Sequence, residues 1–147
     1  VPVPKDVPDR VNKLAKLKPG QVFYEIGCGD SRVCRHIAMR NPKVKVIGIE
    51  MAQTMYLYSR MKLFLKPLKN LTIVHANALK QDLSGADAVY FYMVENTINE
   101  KLKPKLLKEL AKGVKIISYA CRFYRWRGKH LSDTAGKSSK ALHMYII

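Results

Sequence analysis

The sequence predicts an α/β fold: a doubly wound, mostly parallel sheet with helices on both faces. Three observations predict it. Short runs rich in β-branched and aromatic residues alternate with longer stretches of helical period. Those short runs are apolar almost throughout, as strands covered on both sides are. A glycine-rich turn also joins the first such strand to the helix after it. Right-handed crossovers in such a sheet place the ligand at the carboxyl ends of the strands.

The opening Val1-Pro2-Val3-Pro4 is extended, because proline fixes its own φ and pushes its predecessor out of the helical region. Residues 6–17 read as a helix with Val7, Val11, Leu14 and Ala15 on its apolar stripe, Pro8 fitting the first turn, and Pro19-Gly20 as the stop. Residues 22–26 form a strand and 27–30 the glycine turn. From Ser31 a helix presents Val33, Cys34, Ile37 and Ala38 on one face until Asn41-Pro42. A second strand over 44–49 closes at Glu50. The alternation continues with a helix at 52–66, strands at 71–76 and 88–93, and a helix at 95–112 with a break near Pro104. Further strands follow at 114–120 and 141–147. Residues 128–140 are polar and glycine-containing, as expected of a loop or loose hairpin. No linker or repeat divides the chain, so residues 1–147 read as one domain, with 1–20 its N-terminal extended segment and helix.

A chain of 147 residues suffices for a real core without metals or disulfides. No apolar run exceeds Ala88–Val94, far below the ~18 residues of a membrane span. No signal peptide is visible; a first residue Val1 rather than Met leaves an upstream anchor or leader open. The three cysteines lack CxxC pairing, and the four histidines lack metal-ligand spacing, so neither a disulfide framework nor a metal site is expected. A reducing, cytoplasmic setting follows, with membrane association open through a segment upstream of Val1. The net charge of +16 predicts an anionic partner: nucleic acid, an acidic protein or a phospholipid surface. No phosphate-binding Walker pattern and no Ser-His-Asp arrangement is present.

The chemistry concentrates in Glu25-Ile26-Gly27-Cys28-Gly29-Asp30 and Glu50. Gly27 and Gly29 let the backbone turn sharply and approach a ligand closely. Glu50, at the end of the next strand, lies where a carboxylate accepts both hydroxyls of a ribose. A dinucleotide site usually carries a third glycine where this chain has Arg32. Glu25 would repel phosphates but suits the cationic amino-acid end of S-adenosylmethionine. The pattern favours S-adenosylmethionine over NAD, and either over an ordinary strand-turn-helix.

Tyr24-Glu25-Ile26-Gly27-Cys28-Gly29-Asp30 resembles motif I of class I S-adenosylmethionine-dependent methyltransferases, and Gly48-Ile49-Glu50 their following acidic strand end. More narrowly, nearly the whole chain is similar to a family of small protein lysine methyltransferases of archaea, bacteria and mitochondria. Val1-Pro2-Val3-Pro4, Tyr58-Ser59-Arg60, Leu102-Lys103-Pro104-Lys105-Leu106 and the stretch from Ser118 through Cys121-Arg122-Phe123 to Trp126 carry that similarity in order. The resemblance implies a Rossmann-like class I methyltransferase fold. It also implies a cofactor site of Glu25, Gly27, Cys28, Gly29 and Glu50 with Met51, and Asn77 and Ala78 near the adenine. Three departures matter. Ser31 stands where glycine is usual, which suits a residue already helical. Val3 replaces the usual threonine. Asn77 replaces a common aspartate, yet an amide still accepts a hydrogen bond.

The fourth strand leads into Tyr92-Met93-Val94-Glu95-Asn96 rather than the N/D-P-P-Y segment of many amine and amide methylases. That argues against nucleobase amino groups as acceptors. The resemblance implies a protein substrate with an accessible lysine, whose ammonium must lose a proton before it attacks. Glu95 is the candidate to steer that ammonium, against the alternative of a first-turn helix acid. Tyr92 and Tyr119 are candidates for the methyl channel, with core packing the alternative. Trp126 and Arg122 are candidates to flank the acceptor groove, and a packing lid is the alternative for Trp126. Arg122, Arg125, Arg127, Lys129 and His130 follow the fifth strand on the side where a site should open. Lys101, Lys105, Lys108, Lys112 and Lys115 lie opposite the inward-facing Leu102, Leu106, Leu107 and Leu110, as a solvated helix face does. The helix at 52–66, rich in methionine and aromatics, is expected to pack into the core, with a lipid or hydrophobic partner as the alternative. The functions left are a protein lysine methyltransferase, an RNA methyltransferase, and a non-catalytic S-adenosylmethionine-binding interaction protein.

Overall fold

The computed structural model describes residues 2–134 and 140–147. Val1 and the middle of the 128–140 loop lie outside the described residues.

Seven strands form one sheet: β1 (Val22–Ile26), β2 (Lys45–Glu50), β3 (Leu71–His75), β4 (Ala88–Phe91), β5 (Lys115–Tyr119), β6 (His130–Asp133) and β7 (Leu142–Ile146). Their order is β3-β2-β1-β4-β5-β7-β6. β1 to β5 pair in parallel, and β7 runs antiparallel between β5 and β6. The chain reverses sheet direction at β1, so β1 and β4 adjoin at the switch point, where ligands of such sheets bind.

Alternate residues of each strand feed two cores. Phe23, Val46, Ala88, Tyr90, Ile117 and Tyr119 join one with α1 (Val7–Ala15) and α2 (Arg32–Arg40). Val89, Phe91 and Ile116 join the other with the helical stretch after β4. Helices therefore cover both faces, as the apolar strands require. α1 buries Val7, Val11 and Ala15 and ends at Lys16, which takes a left-handed conformation ahead of Pro19. Arg10 is buried, and its guanidinium donates to the Asp133 carboxylate at 3.1 Å and to the Asp133 carbonyl at 2.8 Å, tying α1 to β6.

The helical stretch after β4 comprises α4 (Glu95–Thr97), a π-helical turn (Ile98–Leu102) and α5 (Lys103–Glu109). The wider turn falls just before Pro104, whose ring cannot donate to the preceding turn and would crowd it. Leu102, Leu106 and Leu110 are buried, but Leu107 faces solvent, contrary to the expected inward face.

Two further expectations are resolved between their alternatives. Of the loop or loose hairpin expected over 128–140, the described residues show the hairpin pairing: β6 lies at the sheet edge, antiparallel to β7, with its side chains largely exposed. α3 (Gln53–Leu65) is core packed only in part, through Tyr56 and Leu63. Its one buried residue is Ser59, while Leu57, Met61, Phe64 and Leu65 are at least half exposed. It lies against β2 and β3 at the other edge of the sheet.

Candidate active site

The glycine turn sits on β2. Gly27 and Cys28 both donate their N–H groups to the Ile49 carbonyl, at 2.8 and 3.0 Å. A side chain at Gly48 would press on the Cys28 sulfur and the Ile73 methyl at 3.0 Å, so that glycine is what lets the turn seat. Gly27 and Gly29 have positive φ (+68° and +52°) and open space where a Cβ would stand. The turn is held from above by α3: Ser59 Oγ donates to the Gly29 carbonyl at 2.6 Å, and Lys62 Nζ to the Asp30 carbonyl at 2.7 Å.

Glu50 is nearly buried at the end of β2. Its Oε2 accepts from Gly29 N–H and its Oε1 from Ala52 N–H, each at 2.8 Å. Each oxygen keeps a further lone pair for a ligand. Glu25 Oε2 accepts from Cys34 N–H at 2.8 Å and so satisfies a free donor in the first turn of α2. Burial pushes the Glu25 carboxyl up to about 8, against the Cys34 N–H, which favours its ionised form.

Ser31 does not take the helical conformation expected for a serine in place of glycine: its φ of 62° is left-handed. Its hydroxyl donates to the Asp30 carbonyl rather than capping the helix. Asp30 pairs with Arg32 at 2.7 Å; burial acts to raise the Asp30 carboxyl, but Arg32 outweighs it and holds the group below its usual range. Arg32 also donates to the Val3 carbonyl at 2.9 Å, which anchors the N-terminal segment over the turn.

These groups enclose a cavity of about 1020 Å³ at the β1–β4 switch point. It brings together Glu25, Gly27, Cys28, Gly29, Glu50, Tyr92 and Glu95 of the residues read from sequence. Tyr119 stays behind the wall, buried and edge-on to Tyr92 at 5.0 Å, so it supports that ring instead of lining the cavity. Asn77 lies outside the lining and its Oδ1 accepts from Leu79 N–H at 3.0 Å, closing its own turn. Met51, mostly exposed, and Ala78 also lie outside the lining. Trp126 stacks on Phe123 at 5.4 Å and against Tyr145, away from the cavity, as a packing lid does. Arg122 is exposed, and its carbonyl accepts from Asn99.

Sequence reasoning missed Tyr90, Met55, Cys121 and Lys140 in the lining. Tyr90 had a signal: it lies two residues before Tyr92 on one strand face and opposite Glu25 in register. Its buried hydroxyl has no partner and faces the cavity, and burial raises its pKa. Among the described residues no cluster of acids, cysteines and histidines could hold a metal.

The cavity fits a nucleoside-bearing methyl donor. It offers a twice-anchored carboxylate, two glycines without side chains, a buried acid and an unpartnered phenol.

Known proteins agree with this arrangement. The ANTKMT methyltransferase domain profile matches residues 25–130. A protein-lysine N-methyltransferase of Saccharolobus islandicus is 29% identical over 154 aligned positions, covering 100% of this chain and 92% of that protein. An RNA methyltransferase from Salinibacter ruber, solved with S-adenosyl-L-homocysteine, superposes with a TM-score of 0.88 at 26% identity, covering 100% of this chain and 94% of its own. A SAM-dependent methyltransferase from Aquifex aeolicus shares the fold, with a TM-score of 0.70 at 17% identity over 98% of this chain and 93% of its own.

Proposed function

The chain belongs to the ANTKMT methyltransferase family and is an S-adenosylmethionine-dependent methyltransferase, and we propose that it methylates lysine side chains of protein substrates. The observation that supports this most is the family match across 25–130, which spans both the cofactor turn and the Tyr92–Glu95 wall of the cavity. The full-length similarity to the Saccharolobus lysine methyltransferase points the same way.

Bound S-adenosylmethionine supplies an electrophilic methyl group on a sulfonium. Glu50 would hold the ribose hydroxyls with the lone pairs left after its two backbone bonds. Glu25, deep in the cavity, would meet the cationic amino-acid end, and the open Gly27 and Gly29 would let the ligand lie on backbone. Much of the rate in an in-line displacement comes from alignment, so these fixed contacts are the first contribution. The second concerns the acceptor, since a lysine must arrive charged and react neutral. Glu95 stands at the rim, at the start of α4, where its carboxylate attracts the ammonium. Tyr92, backed by Tyr119, and Met93 present an apolar wall that disfavours the charged amine and lowers its pKa. The proton leaves to solvent or to the Glu95 carboxylate.

RNA as acceptor remains the second reading, favoured by the +16 charge and the similarity to the Salinibacter RNA methyltransferase. Incubation with radiolabelled methyl donor and a mixed lysate, followed by nuclease, protease and amino-acid analysis, decides between them. Methyl-lysine in the protease-sensitive fraction is the expected result; nuclease-sensitive, protease-resistant label would transfer the assignment to RNA.

A further inference from the structure

We propose that the outer face of α3 is a docking surface for a lipid bilayer carrying anionic headgroups. This goes beyond the methyl-transfer reading and does not depend on what is methylated.

α3 is apolar on its outer face as well as its inner one. Inward, Tyr56 and Leu63 pack against the core, while the buried Ser59 and half-buried Lys62 are spent on carbonyls of the Gly29–Asp30 turn. The residues it turns outward are Leu57, Met61, Phe64 and Leu65, at helical spacing, with Phe64 84% exposed. A surface helix of a globular protein keeps polar residues on that outer face. Contiguous exposed apolar side chains of this size mark an interaction site rather than ordinary surface.

Charge selects the occupant. From Met51 to Gln81 the chain carries no Asp or Glu, while Arg60, Lys66 and Lys69 stand exposed beside the apolar side chains. A second copy of the chain would bring the same cations face to face on a molecule of net charge +16. An anionic bilayer satisfies both halves of the pattern: headgroups neutralise the cations, and the apolar side chains enter the acyl boundary. Lysine and arginine stems add apolar length while their charges stay at the headgroups. The helix is too short and too charged to span a membrane, and no helix among the described residues is long and apolar enough to do so. Docking is therefore in the plane of the surface. Because the same helix clamps the Gly29–Asp30 turn, the bilayer would lie beside the rim of the cavity, where Met55 of α3 lines it.

Vesicle co-sedimentation tests this, using phosphatidylcholine with and without phosphatidylserine. The wild-type protein should sediment with the mixed vesicles and much less with phosphatidylcholine alone. The double variant Leu57→Ser, Phe64→Ser should bind the mixed vesicles roughly tenfold more weakly or worse, with melting temperature and S-adenosylmethionine affinity retained. In a Phe64→Trp variant, which keeps the apolar character, emission should shift to the blue on mixed vesicles. Three results would overturn the proposal: no sedimentation of the wild type, equal sedimentation of the double variant, or a lipid-free dimer that the double variant dissolves. The second would leave only diffuse charge attraction, and the third would make the face a self-association surface.

Discussion

The Gly29 N–H donates to Glu50 Oε2 at 2.8 Å, so one side chain both lines the cavity and pins the turn that floors it. The second oxygen does the same for Ala52 at the start of α3. Truncating Glu50 therefore removes a ligand contact and frees two backbone donors at once. Glu50→Ala should lower S-adenosylmethionine affinity by about 1.5–3 kcal/mol, the range for hydrogen bonds involving a charged group. Calorimetry with the donor measures it, and unchanged affinity would place the donor elsewhere.

Ser31 occupies a left-handed conformation that costs an L-residue roughly 1 kcal/mol. Its hydroxyl bonds only to the adjacent Asp30 carbonyl, so little is lost with the side chain. Ser31→Gly should raise stability by about 0.5–1 kcal/mol, less the greater freedom of glycine in the unfolded chain. Urea unfolding with an unchanged m-value checks this. A destabilised variant would mean that the Ser31 hydroxyl holds the turn more than its backbone strains it.

The sheet was legible because parallel strands buried on both faces announce themselves as apolar runs, and the turn at Gly27–Gly29 because backbone geometry demands glycine there. β6 was legible only as an arm of a loop or loose hairpin, since an edge strand with solvent on both sides needs no apolar pattern. α3 misled in part, for the opposite reason: composition reports apolar residues but not which of them a neighbour covers, and here Tyr56 and Leu63 meet the core while Leu57, Met61, Phe64 and Leu65 stay exposed. In the site, the cofactor residues next to the turn were readable from local spacing. Lys140 and Cys121 were not, because they reach the cavity only through the pairing of β5 with β7. The Arg10–Asp133 pair, joining opposite ends of the chain, leaves no local trace either.

Glu25 sets a pH dependence. In the unfolded chain its carboxyl loses its proton near 4.5, whereas in the folded chain burial holds the proton to about 8. Between those values the folded state binds the extra proton, so stability falls as pH rises and the loss is complete above about 8. His36, His130 and His143, all lowered below 6.5 by burial, act in the opposite direction as pH falls below that value. The Glu25 effect is thus cleanest above about 6.5. Without cofactor, the wild-type melting temperature should decline from there to about pH 8.5, while Glu25→Gln stays flatter. S-adenosylmethionine, whose cationic end favours the ionised carboxylate, should bind the wild type more tightly through the same window. Parallel melting curves for the two proteins would count against a buried, protonated Glu25.

The cluster of Arg122, Arg125, Arg127 and Lys129 is exposed and contributes no residue to the cavity lining. Any role in catalysis is then confined to attracting the substrate, an effect screened over ~8 Å at physiological ionic strength. Reversing two of these charges, Arg122→Glu with Arg127→Glu, should raise the apparent KM for an acidic protein substrate by about three- to tenfold, the scale of two exposed charge contacts. Donor affinity should not move, because Glu50 and the Gly27–Gly29 turn are untouched. Added salt should weaken the wild type toward the variant and have less effect on the variant, which separates attraction from a distorted site. A variant whose kcat falls while KM holds would instead show that Arg122, through its carbonyl contact with Asn99 near Glu95, supports the catalytic wall. A variant with neither constant changed would leave the cluster to solubility alone.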